Sequence, residues 1–403
     1  MTDFTVHGPV LKTIVGTAGD DRLTYYLDGG PGGMLLQMPT PNVGGGYDGV
    51  FLPNGGDPTH FLGIENISFI DRVGGDDTLT TAGGDDVLTG RGGRDMLSGG
   101  GGSDSLYGGS QQDALYGGDD GDYVAGGKGN DRLFGQSGHD SLFGDTGNDK
   151  IYGGDDNDFI DGGLGNDKLF GGRGDDFIIA DQGADRVDAG NGKDQVEISF
   201  DTVKTVDGGA GHDMLMAFFE PEVPVAATLT FDMATGVFRS AEASISGSTA
   251  INFEDFAFQG EIDIKVLGTN GANQLFASAG DDILRGNGGS DALFGEAGND
   301  KLVGGAKADT LNGGDGDDLL IGGSGWDMFI FAGGADTIAD FKDDADTILI
   351  LGGLVPFGTT VEDIVDSATV EAGNTIIDLG DGNVLTIAGL TDTSLLLNDL
   401  ELG

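Results

Sequence analysis

From Arg72 to Glu197 the chain repeats one nine-residue pattern without a break, fourteen times. Most units read like Gly126–Phe134, GGKGNDRLF, or Gly162–Phe170, GGLGNDKLF. The sixth place is Asp in every unit: Asp77, Asp86, Asp95, Asp104, Asp113, Asp122, Asp131, Asp140, Asp149, Asp158, Asp167, Asp176, Asp185 and Asp194. The eighth is always aliphatic, from Leu79 to Val196. A fixed short period of this kind specifies a solenoid. Glycines at the first, second and fourth places permit positive φ, so the first six residues are expected to form a loop. The last three, with one aliphatic residue between two others, predict a very short strand. Two units then make a coil of eighteen residues, with strands facing across a thin aliphatic core and units n and n+2 stacked in parallel.

That stacking places the sixth-place carboxylates in two columns, one on each rim, about 4.8 Å apart from coil to coil. Like charges so close repel unless a divalent ion lies between them. Carboxylate and carbonyl oxygens, with neither His nor Cys in the consensus, suit calcium better than magnesium, which demands a stricter octahedron.

The pattern resembles the RTX, or haemolysin-type, calcium-binding repeat. The resemblance implies a parallel β-roll with one calcium between successive loops of a rim, held by the sixth-place Asp residues and by glycine-loop carbonyls. A second array, Gly268–Ala339, repeats the pattern eight times. Its sixth-place residues are Asp282, Asp291, Asp300, Asp309, Asp318, Asp327 and Asp336, with Asn273 as the exception and a weaker site. Counting neighbouring loops in both arrays gives at most 18 sandwiched ions. The fourth-place glycine is replaced by Gln111, Asp120, Asp156 and Lys307, so the loops of Asp113 and Asp309 are expected to border the weakest positions.

The expected fold class is all-β, a parallel β-roll in two arrays with a β spacer and caps. Residues 1–71 read as an amino-terminal cap with one isolated unit, Gly16–Thr24, which carries Asp21 and Leu23. Residues 72–197 are the first array, and 198–267 a β spacer with one isolated unit from Gly208. Residues 268–339 form the second array and 340–403 a carboxy-terminal cap. In the spacer, ATLTFDM and GVFRSAEASISG predict a hairpin, and a segment of about fifty residues is too small to build its own core. From Asp340, DFKDDADTILIL is similar to the segment that closes the rolls of serralysin-type proteases. Thr359 and Glu362 suggest a capping box for a helix carrying Ile364 and Val365, and NTIIDLGDGNVLTIAGL reads as a hairpin. No Lys or Arg follows Lys342, and this acidic ending resembles a type I secretion signal.

Composition bears on partners. The 69 acidic and 19 basic residues give a formal charge of −50, which argues against nucleic acid and anionic membrane. There is no Cys for disulfides, thiolate metal sites or nucleophiles, no apolar run long enough to span a membrane, and no visible cleavable signal peptide. HExxH and G-x-S-x-G signatures are missing, and His7, His60, His139 and His212 are scattered, which fits surface positions. The reading is therefore a secreted, extracellular, non-enzymatic calcium-binding protein with a structural, adhesive or interaction role. Its expected partners are multiple calcium ions, the type I secretion machinery, and extracellular polysaccharide or cell-surface components. The alternative is a secreted hydrolase, epimerase or toxin with an unrecognised or missing effector part. One pattern exceeds what the repeat requires. Alternate units carry Tyr116, Phe134, Tyr152 and Phe170 at the ninth place and Arg132, Lys150, Lys168 and Arg186 at the seventh. This outer face suggests either ring stacking between strands with the cations softening the acidic rims, or a docking surface for an anionic polysaccharide, with rings stacking on sugars and cations meeting carboxylates, for another protein or for the chain's own cap.

Overall fold

In a computed structural model the chain is an all-β parallel β-roll. The structure describes residues 76–403 except 82, 219–227 and 241–246, and before residue 76 only the backbones of the strands. The side chains of Asp21 and Leu23 lie outside the described residues. The chain divides into two compact units, one of residues 1–198 and 205–211, the other of residues 199–204 and 212–403.

In the first unit every second strand stacks in parallel with an offset of eighteen residues. On one sheet Ser105–Ser110, Tyr123–Lys128 and Ser141–Thr146 pair in succession. On the other, Met96–Gly101, Ala114–Asp119, Arg132–Ser137, Lys150–Asp155, Lys168–Arg173 and Arg186–Gly192 do the same. Between Arg186 and Thr205 the offset becomes nineteen. Strands of the segment read as a cap also pair in parallel, though with other offsets: Asp21–Tyr26 pairs with both Thr2–His7 and Asn66–Ile70.

The eighth-place residues build the core. Leu88, Leu106, Leu133, Ile151 and Leu169 are fully buried, and the alternation along each strand sends places seven and nine outward. The strands are longer than the sequence predicts. Arg132–Ser137 runs on into the next unit, and its ladder with Lys150–Asp155 resumes at Gln136↔Gly154 and Ser137↔Asp155. The turn is thereby confined to places four to six, because the parallel ladder satisfies the backbone of places two and three.

The ninth-place rings Tyr116, Phe134, Tyr152 and Phe170 stack with centroids 4.7–5.0 Å apart and planes within 6°. Their faces are turned to one another, so the expectation that sugars stack on them does not hold. The opposite sheet has its own file, Tyr107, Tyr123, Phe143, Phe159 and Phe177, with centroids 5.2–5.8 Å apart. It escapes a search at one place of the unit because its members are split between places nine and seven.

In the second unit, Met214–Phe218, Asp255–Gln259, Gln274–Phe276, Ala292–Ala297, Thr310–Asp315, Met328–Phe331, Thr347–Ile350 and Leu400–Leu402 form one parallel file. The spacer hairpin is present as Leu229–Asp232 paired antiparallel with Val237–Arg239. It shares the roll's core: Leu229–Asp232 pairs in parallel with Ile264–Leu267, and the Phe231 ring stacks on Phe238 at 4.1 Å. The helix Val361–Ser367 buries Ile364 and Val365, but its capping box is Thr360 with Asp363 rather than Thr359 with Glu362. The Thr359 hydroxyl instead donates to Pro356 O at 2.8 Å, which leaves Thr360 to cap.

Each coil has only a few core side chains, so a truncated one cannot be replaced by its neighbours. Leu133→Ala should cost about 2–5 kcal/mol, read as a lower melting temperature of the calcium-loaded protein; an unchanged melt would contradict this account of the core.

Candidate metal centre

The sixth-place carboxylates are almost fully buried, at 1–3% exposure in the first array. Each is oriented by a long-range bond that the repeat creates. On one rim the Asp113 N–H donates to Asp131 Oδ1 at 2.7 Å, Asp131 N–H to Asp149 Oδ1 at 2.6 Å and Asp149 N–H to Asp167 Oδ1 at 2.7 Å. On the other, Asp104, Asp122, Asp140 and Asp158 bind Asp122, Asp140, Asp158 and Asp176 in the same way at 2.8–2.9 Å. In the second array Asp282, Asp300 and Asp318 lead to Asp336, and Asp291 and Asp309 lead to Asp327.

The second oxygen of these groups is left over. Oδ2 of Asp104, Asp113, Asp122, Asp131, Asp140, Asp149, Asp158 and Asp176 is buried without a hydrogen-bond partner, as is that of Asp282, Asp291, Asp300, Asp309, Asp318, Asp327 and Asp336. A buried anionic oxygen in that state is costly unless a cation meets it. It points at the first glycine of its own unit: a methyl group on Gly108 would lie 2.6 Å from Asp113 Oδ2 and 2.7 Å from Gly126 O. The first glycine is therefore required for space and does not adopt positive φ, contrary to the expectation from sequence, whereas places two and four do. At the fourth place, a side chain on Gly147 would collide with the carbonyl oxygen of Gly129 one coil earlier. Among the described residues no three His, Cys, Asp or Glu side chains converge on one point, so loop carbonyls would have to complete any cation shell. Hard oxygens of this kind fit calcium.

Burial, opposed by the backbone N–H bond and reinforced by neighbouring carboxylates, pushes Asp104, Asp149, Asp158 and Asp336 up to about 8. The same causes bring Asp113, Asp176 and Asp300 to about 7.

Four features were missed or misread from the sequence. The fifth place forms a second ladder in the opposite sense: Asn148 N–H donates to Asn130 Oδ1, Asn166 N–H to Asn148 Oδ1, and Asn157 N–H to His139 Nδ1. His139 and His212 are exposed, as expected, and both are bonded: His139 Nδ1 accepts from Asn157 N–H, and His212 Nε2 lies 3.1 Å from Asp255 Oδ2. Asn273 does not merely offer an oxygen, since its amide donates to Glu254 O and to Thr269 Oγ1 and fastens the loop itself. Beyond the last unit, Asp327 N–H donates to Asp346 Oδ1 at 3.0 Å, so Asp346 extends the column. Nearby, the Lys342 ammonium donates to Gly323 O, a cation supplied by the chain at a loop carbonyl. The sequence signal for Asp346 was present, but displaced by one residue from the nine-residue frame.

A parallel roll with columns of buried carboxylates beside loop carbonyls defines a cation-dependent repeat fold. Residues 73–106, 98–133, 134–169, 161–196, 267–302 and 303–338 match the RTX calcium-binding nonapeptide repeat family. These two arrays belong to that family, whose repeats bind calcium. Among solved structures, the chain is similar to the extracellular lipase LipA from Serratia marcescens, with 21% identity and a TM-score of 0.22. That similarity covers 64% of this chain and 40% of the lipase, so the chain spans less than half of the lipase's length. No curated protein matches the chain.

Two tests follow from this geometry. A carboxyl raised above its usual value of 3.8 keeps its proton in the metal-free roll at a pH where the unfolded chain has lost it. The resulting stability is complete below about pH 4 and disappears as pH rises through about 7–8. In chelator, β-content by circular dichroism should therefore be greater at about pH 5 than at about pH 8.5, while calcium, competing with those protons, should bind better at the higher pH; equal β-content at both would refute the assignment. Lys307 stands at φ 84° and its charge reaches Asp291. Lys307→Gly removes both the strain and the competing cation, so calorimetry should show tighter calcium binding; unchanged or weaker binding would count against it.

Proposed function

We propose that this is a secreted calcium-binding RTX repeat protein that folds on meeting extracellular calcium and has a structural, adhesive or interaction role without chemistry of its own. The observation that carries the reading is the file of buried Oδ2 atoms without a hydrogen-bond partner, from Asp104 to Asp158 and from Asp282 to Asp336, several of them, such as that of Asp113, close to a loop carbonyl. On this reading the ligands are the sixth-place carboxylates from Asp77 to Asp194 and from Asp282 to Asp336, with Asp346 added, and the remaining oxygens are loop carbonyls. Residues 198–267 restart the roll, and residues 340–403 close it and carry the export signal. The acidic, lysine-free ending and the extracellular range of calcium support localisation outside the cell.

A cavity of about 240 Å³ gives the enzymatic alternative its one specific feature, since His212, Asp255 and Ser290 all line it. Ser290 makes no hydrogen bond to His212 among the described residues, so a nucleophile joined to its base is lacking there.

Without calcium the carboxylate columns repel and the glycine loops keep their entropy, so the chain should be largely disordered at neutral pH. Extracellular modules bind calcium at roughly 10⁻⁴ to 10⁻³ M, a range in which the chain would stay unfolded before export. A calcium titration followed by circular dichroism should show a cooperative gain of β-structure; full β-content in excess chelator at neutral pH would sink the proposal.

A further inference from the structure

Arg132, Lys150, Lys168 and Arg186 form a file in the structure, each the register partner of the next on adjacent strands. Their spacing is therefore that of parallel strands, about 4.8 Å. Three are exposed and Lys150 is half-buried. None of the four forms an ion pair among the described residues, although Arg173 reaches Asp155 at 2.9 Å on the same sheet. Like charges facing each other on neighbouring strands destabilise a sheet, so packing does not explain the file. The opposite sheet shows that the fold does not need it: there the seventh places read Ser105, Tyr123, Ser141, Phe159 and Phe177. In a chain with 69 acidic and only 19 basic residues, four cations share one face.

We infer that this face docks a linear acidic polysaccharide of the polyuronate class, lying along the roll axis with successive carboxylates meeting successive cations. The occupant follows from charge complementarity and repeat. A polyuronate carries one carboxylate per sugar, and a sugar is comparable in length to the rise of one coil. The ninth-place rings, stacked face to face, present their edges as an apolar wall beside the cations. A denser polyanion such as nucleic acid would be repelled by the acidic rims. This inference rests on the proposed extracellular, calcium-folded state and names its partner.

The test uses the full chain in saturating calcium at low salt. Calorimetry would compare an oligouronate long enough to span the four strands with its methyl ester and with a single-stranded oligodeoxynucleotide. The acidic oligomer should bind, the ester should not, and the oligonucleotide should bind less. Lys150→Gln with Lys168→Gln should weaken binding about tenfold, and Lys150→Glu with Lys168→Glu should abolish it, with calcium-dependent dichroism unchanged in both. No binding by the unmodified protein, equal binding of the ester, a preference for the oligonucleotide, or undiminished binding by a folded variant pair would each overturn the inference. The ester and oligonucleotide comparisons decide even if a variant fails to fold. If the unmodified chain ignores calcium, it is the function reading that fails; if it folds with calcium but ignores the oligouronate, only the docking inference does.

Discussion

Everything in the arrays depends on one constraint: a carboxylate held at every coil by the backbone of the coil before it, with its other oxygen shut away from water. The bond from Asp131 N–H to Asp149 Oδ1 fixes the side chain as firmly as a strand is fixed by its ladder. The price is a row of buried carboxylate oxygens at strand spacing, which among the described residues from Asp104 to Asp158 and from Asp282 to Asp336 have no hydrogen-bond donor. The glycines follow from that row, the first because the carboxylate lies against it and the fourth because the preceding coil's carbonyl does. On the proposed reading, a cation is thus a condition of the fold as much as a ligand of it.

The period was legible from the residues alone, and with it the eighteen-residue coil, the buried aliphatic file and the two carboxylate rims. What the sequence hid were relations between residues eighteen or nineteen apart. Asn130 and Asn148 look like indifferent loop residues until stacking puts the N–H of one on the side chain of the other. Asp346 fell outside the frame because its partner Asp327 is nineteen residues away instead of eighteen. The first glycine of the unit was given the wrong reason, since a requirement for space and one for positive φ leave the same letter. The helix cap was misplaced by one residue because adjacent threonines compete, and Pro356 decides which is free.

The same geometry gives the two kinds of charge different main places. The sixth-place carboxylates lie on the rims, where the loops turn, and the cations Arg132, Lys150, Lys168 and Arg186 lie on a sheet face, which they share with Asp155 and Asp188. Ions bound along the rims would reduce the field of a chain with a formal charge of −50 and leave that basic face less shadowed by its surroundings. On the proposed reading, metal loading and the character of the outer surface would be coupled in this way.

The two-unit coil also gives the molecule a parity. Removing eighteen residues from within an array leaves every later side chain on its own rim and its own sheet. Removing nine exchanges them: Lys150 and Lys168 would move to the opposite face from Arg132, and the carboxylates after the cut would change columns. The smallest heritable change of length that preserves both the ion columns and a distinct outer face is therefore a whole coil, so such a protein can grow or shrink only in even numbers of the unit its sequence displays.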